Sequence, residues 1–430
     1  MKLKLIILVA LILVGVLVAG SVITDQENVT KEYNSYLAVA RENAERQIPY
    51  VAYKNYQSAM AIRGGDEQVF QEYLAQAKLL GLDMYNSAIE EYYAEFPDSV
   101  LANELYCGVL YERGSYKNLI AAALKARDKG IATEKVRDWY LECSFMLEGL
   151  ISGFEEANSF IGAYARVKVN DKYGYVSDTG SYLLSAMYEG ASMMMSSAAV
   201  NDGEEWHLIN SQGYKIQRTN VPVDYIGTYS GGKFAVAIGD KYGYTDASLV
   251  IPEKLPYEYA STFKSGCAAV KKDGKWAVIN ENEQPITDFI FEEVVLDEFD
   301  TCINGGVIFV KHNGKYYMMN SNGERITQTA FDAVYPFVNA EPAAVCINGK
   351  WGFVDTAGNV VIKPAYENAK SFSAGLGAVC VEGKWGYINT SGTIRIEPKF
   401  EDCRPFSASG IAALKEGGIW SYKQLLPYHD

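Results

Sequence analysis

A chain of 430 residues with 49% hydrophobic and 21% charged residues is folded rather than disordered, and it is too long for one ordinary domain. A net charge of -14 and a pI near 4.9 leave no basic face for nucleic acid, which binds by counterion release, or for anionic lipid. The seven cysteines are odd in number and show no CxxC or Cys/His spacing, which argues against a disulfide framework and against zinc.

From the N-terminus, Leu5 to Ile23 is apolar or small throughout, with Lys2 and Lys4 before it and Asp25 and Glu27 after it. Nineteen residues of helix cover about 28 Å, close to a bilayer core of ~30 Å. Residues 1–27 therefore read as a signal anchor, a transmembrane helix with its basic flank inside and the bulk of the chain extracytoplasmic. The alternative is secretion after cleavage, because Val18-Ala19-Gly20 before Ser21 offers small residues to a signal peptidase. Ser21 stands where a lipoprotein needs cysteine.

Residues 28–150 carry apolar positions at helical spacing and only two prolines, Pro49 and Pro97. Tyr73, Leu74, Ala77 and Leu80 line one helix face, Gly81 and Asp83 mark a turn, and Tyr85, Ala88, Ile89 and Tyr92 line the next. Weaker copies precede and follow, which predicts about three helical pairs and a closing helix from Glu134 to Leu150. The pattern resembles the tetratricopeptide repeat, which implies either a peptide-binding groove or a spacer.

Residues 151–430 repeat. A lead aromatic recurs at Tyr173, Trp206, Tyr242, Trp276, Tyr316, Trp351, Trp385 and Trp420, with gaps of 33, 36, 34, 40, 35, 34 and 35 residues. In the clearest copy, Ala343–Ile347 reads as a strand and Asn348-Gly349 as a two-residue turn with positive φ at both positions. Trp351–Val354 reads as a second strand, Asp355 to Gly358 as an Asx turn, and Asn359–Lys363 as a third strand stopped by Pro364. Fifteen residues after the lead aromatic stand Tyr188, Tyr257, Phe291, Phe331, Tyr366 and Phe400, and twenty-one after it stand Phe263, Phe337, Phe372 and Phe406. Neither face of the Trp351 strand is polar, so it is expected between two layers, its indole interlocking adjoining sheets and Gly352 leaving room for a neighbour's ring.

Phe154 to Phe160 matches the tail of a unit, and the chain ends on the head of one, at Ile411–Lys415 and Ile419–Tyr422. Joined, they complete one blade. This favours a closed β-propeller of about eight blades over an open β superhelix, because closure leaves no exposed sheet edges. The Lys-Trp-Gly-Phe and Lys-Trp-Gly-Tyr cores at Lys350 and Lys384 resemble the WG repeat, also called the KWG repeat, of bacterial proteins. Ala277 and Tyr317 depart from it at the glycine slot. The resemblance implies an interaction module and no defined activity.

No catalytic constellation or cofactor motif emerges, and no site residue is assigned. His312 sits at a hairpin tip and His429 beside the C-terminus, both expected exposed, while His207 takes a slot usually held by glycine. Convergence of Glu204, Glu205 and His207 would favour an envelope hydrolase, and their dispersal a binding role. Exposed lead aromatics would favour a glycan-binding lectin, but these rings are expected buried. The recurring Asn210, Asp246, Asn280, Asn320, Asp355 and Asn389 read as Asx turns rather than calcium ligands. Cys346 and Cys380, in a slot where other copies carry Lys271, Lys311 and Lys415, read as outward-facing free thiols. Two departures from the repeat remain, Met193-Met194-Met195 and the lengthened stretch from Asp297 to Gly306. The reading is a multidomain α + β chain: an anchored extracytoplasmic scaffold that binds a protein or envelope polymer.

Overall fold

The computed structural model describes residues 26–426. Leu5–Ile23 and His429 lie outside the described residues, among which no helix is long and apolar enough to cross a membrane. The chain divides into two compact units, helical up to Ser144 and built of strands from Phe145 to Leu426.

The first unit holds α1 (26–45), α2 (Pro49–Ile62), α3 (Glu67–Leu80), α4 (Leu82–Glu95), α5 (Val100–Glu112), α6 (Tyr116–Asp128) and α7 (Glu134–Cys143). Pro49 opens α2, where a missing N–H costs nothing. Asp66, Ser99 and Thr133 cap α3, α5 and α7 by accepting the N–H of Val69, Ala102 and Val136, each at 3.3 Å. Gly81, at φ 122°, is the single residue between α3 and α4. Ala52, Ala59, Ala77 and Ala88 are fully buried beside the rings of Tyr56, Tyr73 and Tyr92. Those rings donate their hydroxyls to carboxylates: Tyr56 to Glu72 at 3.0 Å, Tyr73 to Glu91 at 2.9 Å and Tyr92 to Glu67 at 2.6 Å. Tyrosine is abundant here because each ring fills the core while its oxygen reaches a polar rim.

The expected closing helix is shortened. It ends at Cys143, and Leu147–Phe154 is a strand paired antiparallel to Ile419–Leu425. Gly149 and Gly153 weaken helix locally, and a ready sheet edge decides the conformation.

The second unit is an eight-bladed β-propeller, one sheet per repeat. Blades 1 to 8 span residues 156–188, 190–218, 225–245, 259–280, 293–320, 333–366, 368–400 and 402–425. Blade 7 is typical, with an inner strand Asn368–Ser373, then Leu376–Val381, Lys384–Asn389 and an outer strand Ile394–Phe400. Blade 8 takes its outer strand from Leu147–Phe154, so the two ends of the unit share one sheet and the ring closes as the sequence pattern predicts. Blades 3, 4 and 5 have three strands; the fourth is reduced to bridges such as Trp276 with Phe291 and Tyr316 with Phe331.

Turn chemistry follows the residues. Asn348 and Gly349 stand at φ 52° and 75°, as the Asn-Gly turn requires. In blades 1 and 3 to 8, one acid holds this turn from across the blade. Glu401 accepts the N–H of Gly417 and Gly418 at 3.0 and 2.9 Å, Glu155 those of Asn170 and Asp171 at 2.9 and 3.1 Å, and Glu367 those of Glu382 and Gly383 at 3.2 Å. The Asx turns form too: Asp355 Oδ1 accepts from Ala357 and Asn359 at 3.0 and 2.8 Å, and Asn280 Oδ1 from Asn282 and Gln284 at 3.0 Å.

The Trp351 strand does lie between layers. Phe353 faces blade 7, packing with Ala369, Phe372 and Val379, and Val354 faces blade 5. The residue that locks the blades together is not the indole but the one two positions later. Phe353 meets Phe372 at 4.8 Å between ring centroids, Tyr387 meets Phe406 at 4.8 Å and Tyr244 meets Phe263 at 4.7 Å. Tyr422 meets Phe160 at 4.9 Å across the closure from blade 8 to blade 1. Where this residue is tyrosine, its hydroxyl donates to the carbonyl of the residue just after the next blade's inner strand: Tyr175 to Ser192 at 2.8 Å, Tyr244 to Ser261 at 2.9 Å, Tyr387 to Arg404 at 2.7 Å and Tyr422 to Asn158 at 2.6 Å. The ring-closing contact therefore repeats the internal ones. The lead aromatics are buried or half-buried on the flank of the blade, Trp385 under Lys370 Nζ at 4.5 Å and Trp351 against Tyr335 at 5.6 Å.

The glycine after the lead aromatic serves its own blade, not a neighbour's ring. A Cβ on Gly386 would stand 2.4 Å from the Ile396 carbonyl oxygen and 2.6 Å from Pro398 N, where the outer strand bulges. Gly352 faces Ile362 and Pro364 in the same way. The outer strand runs through Pro364 to Tyr366 rather than stopping there. Ala277 and Tyr317 occupy this slot in blades 4 and 5, which lack the outer strand. Cys346 and Cys380 are buried rather than outward-facing: Cα-paired with Trp351 and Trp385, each lies beside an aromatic ring. Lysines in this slot reach over the same ring, Lys311 with its Nζ 5.2 Å from the Tyr316 centroid and Lys415 with its Nζ 5.9 Å from that of Trp420. His312 is half-buried, its ring edge-on to Phe291 at 6.2 Å.

Candidate functional site: the axial cavity

In blades 1, 4, 6, 7 and 8, two residues separate a small or apolar residue of the inner strand from the aromatic that follows it: Asn158-Ser159 in blade 1, Lys370-Ser371 in blade 7 and Arg404-Pro405 in blade 8. Packing constrains the residues on either side and leaves these two free to vary. They and the loops after them converge on a cavity of about 730 Å³ at the propeller axis. Its lining comes from blades 1, 4, 5, 6, 7 and 8. A volume of this order suits a small ligand or a short chain segment.

The stretch from Asp297 to Gly306, a lengthening of the repeat, folds into this cavity. Asp297 organises it: Oδ1 accepts the N–H of Phe299 and Thr301 at 3.0 and 2.8 Å, and Oδ2 accepts from Thr301 Oγ1 and Asn304 Nδ2 at 2.7 and 3.0 Å. Asp300 ties it to blade 4, accepting from the Tyr259 hydroxyl at 2.6 Å and from Thr262 N at 3.2 Å. Burial raises the Asp300 carboxyl to about 6, above the usual carboxylate range, although those bonds pull the other way. Gly305, at φ 58°, lies where a Cβ would stand 2.3 Å from the Asn339 carbonyl of blade 6.

Glu298 reaches furthest. Its Oε2 accepts the N–H of Ser159 in blade 1 at 2.9 Å and lies 3.9 Å from Arg404 Nε in blade 8. In an eight-membered ring blade 1 stands opposite blade 5, so this carboxylate crosses the axis. Of the other lining charges, Lys370 is paired with Asp402 and with the Cys403 carbonyl at 2.9 Å, and Lys264 with Asn304 and, at 3.9 Å, with Asp297.

The residues singled out by sequence lie elsewhere. Glu204 is exposed, Glu205 is paired with Lys215, and His207 is buried with Nδ1 3.6 Å from Asp202 Oδ2. None of the three lines the cavity. Met193 and Met194 fill the core while Met195 is exposed. Among the described residues no cluster of three or more His, Cys, Asp or Glu side chains could hold a metal ion. Arg404, Lys370 and Ser159 were not signalled by any motif; only their position in a slot that varies between repeats marked them.

Comparison with solved structures finds partial likenesses. A eukaryotic initiation factor is 14% identical, with a TM-score of 0.42 over 67% of this chain and 92% of that one. PorZ, an essential surface component of the type-IX secretion system of Porphyromonas gingivalis, is 13% identical, with a TM-score of 0.34 over 64% of this chain and 46% of that one. The extracellular domain of the one-component system BT4673 from B. thetaiotaomicron is 9% identical, with a TM-score of 0.33 over 67% and 44%. This chain thus spans less than half of the last two, and at such scores the likeness carries no argument. Comparison with curated proteins finds no match. The family model for the WG containing repeat matches residues 153–173, 256–276, 318–351, 351–385 and 385–420. With those matches lying on the blades just described, the chain is a WG-repeat protein whose repeats close into an eight-bladed propeller.

Proposed function

We propose that this protein is an extracytoplasmic scaffold, held at the membrane by Leu5–Ile23, whose propeller binds a protein or a cell-envelope polymer at the axial cavity. The observation that carries this reading is the convergence of loops from six blades on one cavity whose charged side chains are mostly committed to partners, an arrangement suited to holding a ligand in place. That none of Glu204, Glu205 and His207 lines this cavity weighs against the hydrolase reading. That no lead aromatic is fully exposed, three being buried and five half-buried, weighs against a lectin that stacks sugars on them. The helical unit serves as a spacer or offers a second, peptide-binding surface.

The test has two arms. Protease added to spheroplasts should digest the bulk of the full-length chain, and removal of residues 1–27 should release it from the membrane fraction; protection of the whole chain contradicts the placement. In the second arm, the 28–430 fragment and its Ala408→Trp variant, which fills the cavity from an exposed lining position, are used to capture material from envelope extract. Species retained by the parent and lost with the variant support binding at the axis. Identical capture by both contradicts it.

A further inference from the structure

Glu298 occupies a seat that other parts of the chain have built. The seat consists of the Ser159 N–H, which donates to Oε2 at 2.9 Å, and the Arg404 guanidinium, whose Nε is 3.9 Å away. Glu298 leaves polar groups of both residues unused. Arg404 Nε donates at 3.3 Å to the Ala157 carbonyl, and its two terminal nitrogens make no hydrogen bond among the described residues. The Ser159 hydroxyl is buried and has no partner, although the residue lines the cavity and is 8% exposed. A buried hydroxyl without a partner is costly and marks a place where a polar ligand belongs. Glu298 itself comes from the inserted stretch, not from the repeat scaffold that positions Ser159 and Arg404.

We propose that the axial cavity is a receptor for a small molecule or chain end bearing one carboxylate, seated on Ser159 and Arg404, and that Glu298 fills this seat from within until the ligand displaces it. Charge supports a single carboxylate. The lining cations are Lys264, Lys370 and Arg404, and the lining anions are Asp178, Asp297, Glu298 and Asp402. Asp402 is paired with Lys370, and Asp297 is satisfied by Thr301 and Asn304. With Glu298 swung out, the walls carry three charges of each sign, so one incoming carboxylate restores the original balance. Asp178, Asp297 and Asp402 stand against a second. The proposal rests on the cavity being the place of binding, but it concerns the chemistry of the seat alone.

The test uses the full-length chain, with binding read by saturation-transfer NMR from the methyl protons of acetate, acetamide and two acetyl-dialanine probes, the free acid and its C-terminal amide. Glu298→Ala vacates the seat, and acetate should bind this variant at least tenfold more tightly than it binds the parent. Acetamide should show no gain, and adding Arg404→Met should abolish the gain. If circular dichroism shows that Glu298→Ala does not fold, Glu298→Gln, which keeps the shape and loses the charge, should show the same order. Tighter binding of acetyl-dialanine than of acetate, with its amide silent, identifies a chain end as the natural source; equal binding identifies a small free acid. Equal gains for acetate and acetamide, or a gain that survives Arg404→Met, overturn the proposal. That result would leave the comparison with Ala408→Trp untouched, so failure of the seat and failure of the cavity reading are distinguishable.

Discussion

Replacing Gly386 with alanine tests why the repeat keeps a glycine beside its tryptophan. The added Cβ would lie 2.4 Å from the Ile396 oxygen, 2.6 Å from Pro398 N and 2.8 Å from Glu397 C, against an ordinary contact beginning at 3.4 Å. All three are backbone atoms of the outer strand, so no side chain can swing aside. Either the strand shifts by about 1 Å, at a cost of ~1–3 kcal/mol for overpacking, or it peels away. Peeling exposes Ile396 and Phe400, now 5% and 0% exposed, at roughly 1.5–3 kcal/mol each. The cheaper route wins, so the expected loss is ~1–3 kcal/mol. For a unit of this size about 1 kcal/mol moves Tm by roughly 2 °C, which gives a drop of ~2–6 °C in thermal unfolding followed by near-ultraviolet circular dichroism. The companion change is Ala277→Gly in blade 4, where no outer strand crowds the slot. It restores the repeat's own residue yet should lower stability by about 1 kcal/mol, through a lost methyl and added chain freedom. If Gly386→Ala melts with the parent, or Ala277→Gly stabilises, the bulge is not the reason for the glycine.

Three further outcomes are expected. Tyr422→Phe leaves the Asn158 carbonyl without its 2.6 Å donor at the ring closure and should cost ~1–3 kcal/mol in denaturant unfolding, as should Tyr387→Phe at an internal junction; a closure variant without effect argues against an equivalent joint there. Glu401→Ala removes the acceptor of two turn amides and should cost ~1 kcal/mol, with faster hydrogen exchange at Gly417 and Gly418 and unchanged exchange at Gly349. Stability should also depend on pH in two senses. Asp202, held low by the Glu205 N–H, and Asp332, held low by Lys315, contribute stability that is present above about pH 4 and lost as pH falls through their lowered values. Asp300, raised to about 6, contributes stability that is complete below about pH 4 and lost as pH rises through 6. The Tm of Asp300→Asn relative to the parent should therefore climb from pH 4 to pH 7, and a flat difference refutes the assignment.

The repeat was legible because its constraints are local. Asn348-Gly349 and Asp273-Gly274 need positive φ, Asp355 and Asn389 need a turn to cap, and the aromatics need a layer on each side, so spacing alone located the strands. Closure was legible because Phe154 to Phe160 repeats Tyr366 to Phe372, which joins the outer strand of one blade to the inner strand of the next. What escaped was decided by partners remote in sequence. Leu147 to Leu150 joins a strand more than 270 residues away rather than extending α7, and no local pattern records that edge. The tyrosine hydroxyls that join blades look like ordinary strand aromatics until the next blade's carbonyl is in place. Cys346 and Cys380 read as outward because lysine shares their slot, yet a lysine stem can be buried while its amine is not. The cavity escaped because its residues vary from blade to blade, and a search for repetition passes over such positions.

Hydrogen exchange read by mass spectrometry on the peptide covering 147–154 bears most directly on the closed ring. If Leu147–Phe154 is the outer strand of blade 8, its amides should be protected to the same degree as those of Ile419–Leu425 and should open with them in one cooperative step under mild denaturant. Exchange of 147–154 within seconds while 419–425 stays protected would mean that the ends of the propeller are not joined, and the eight-bladed ring would have to be abandoned.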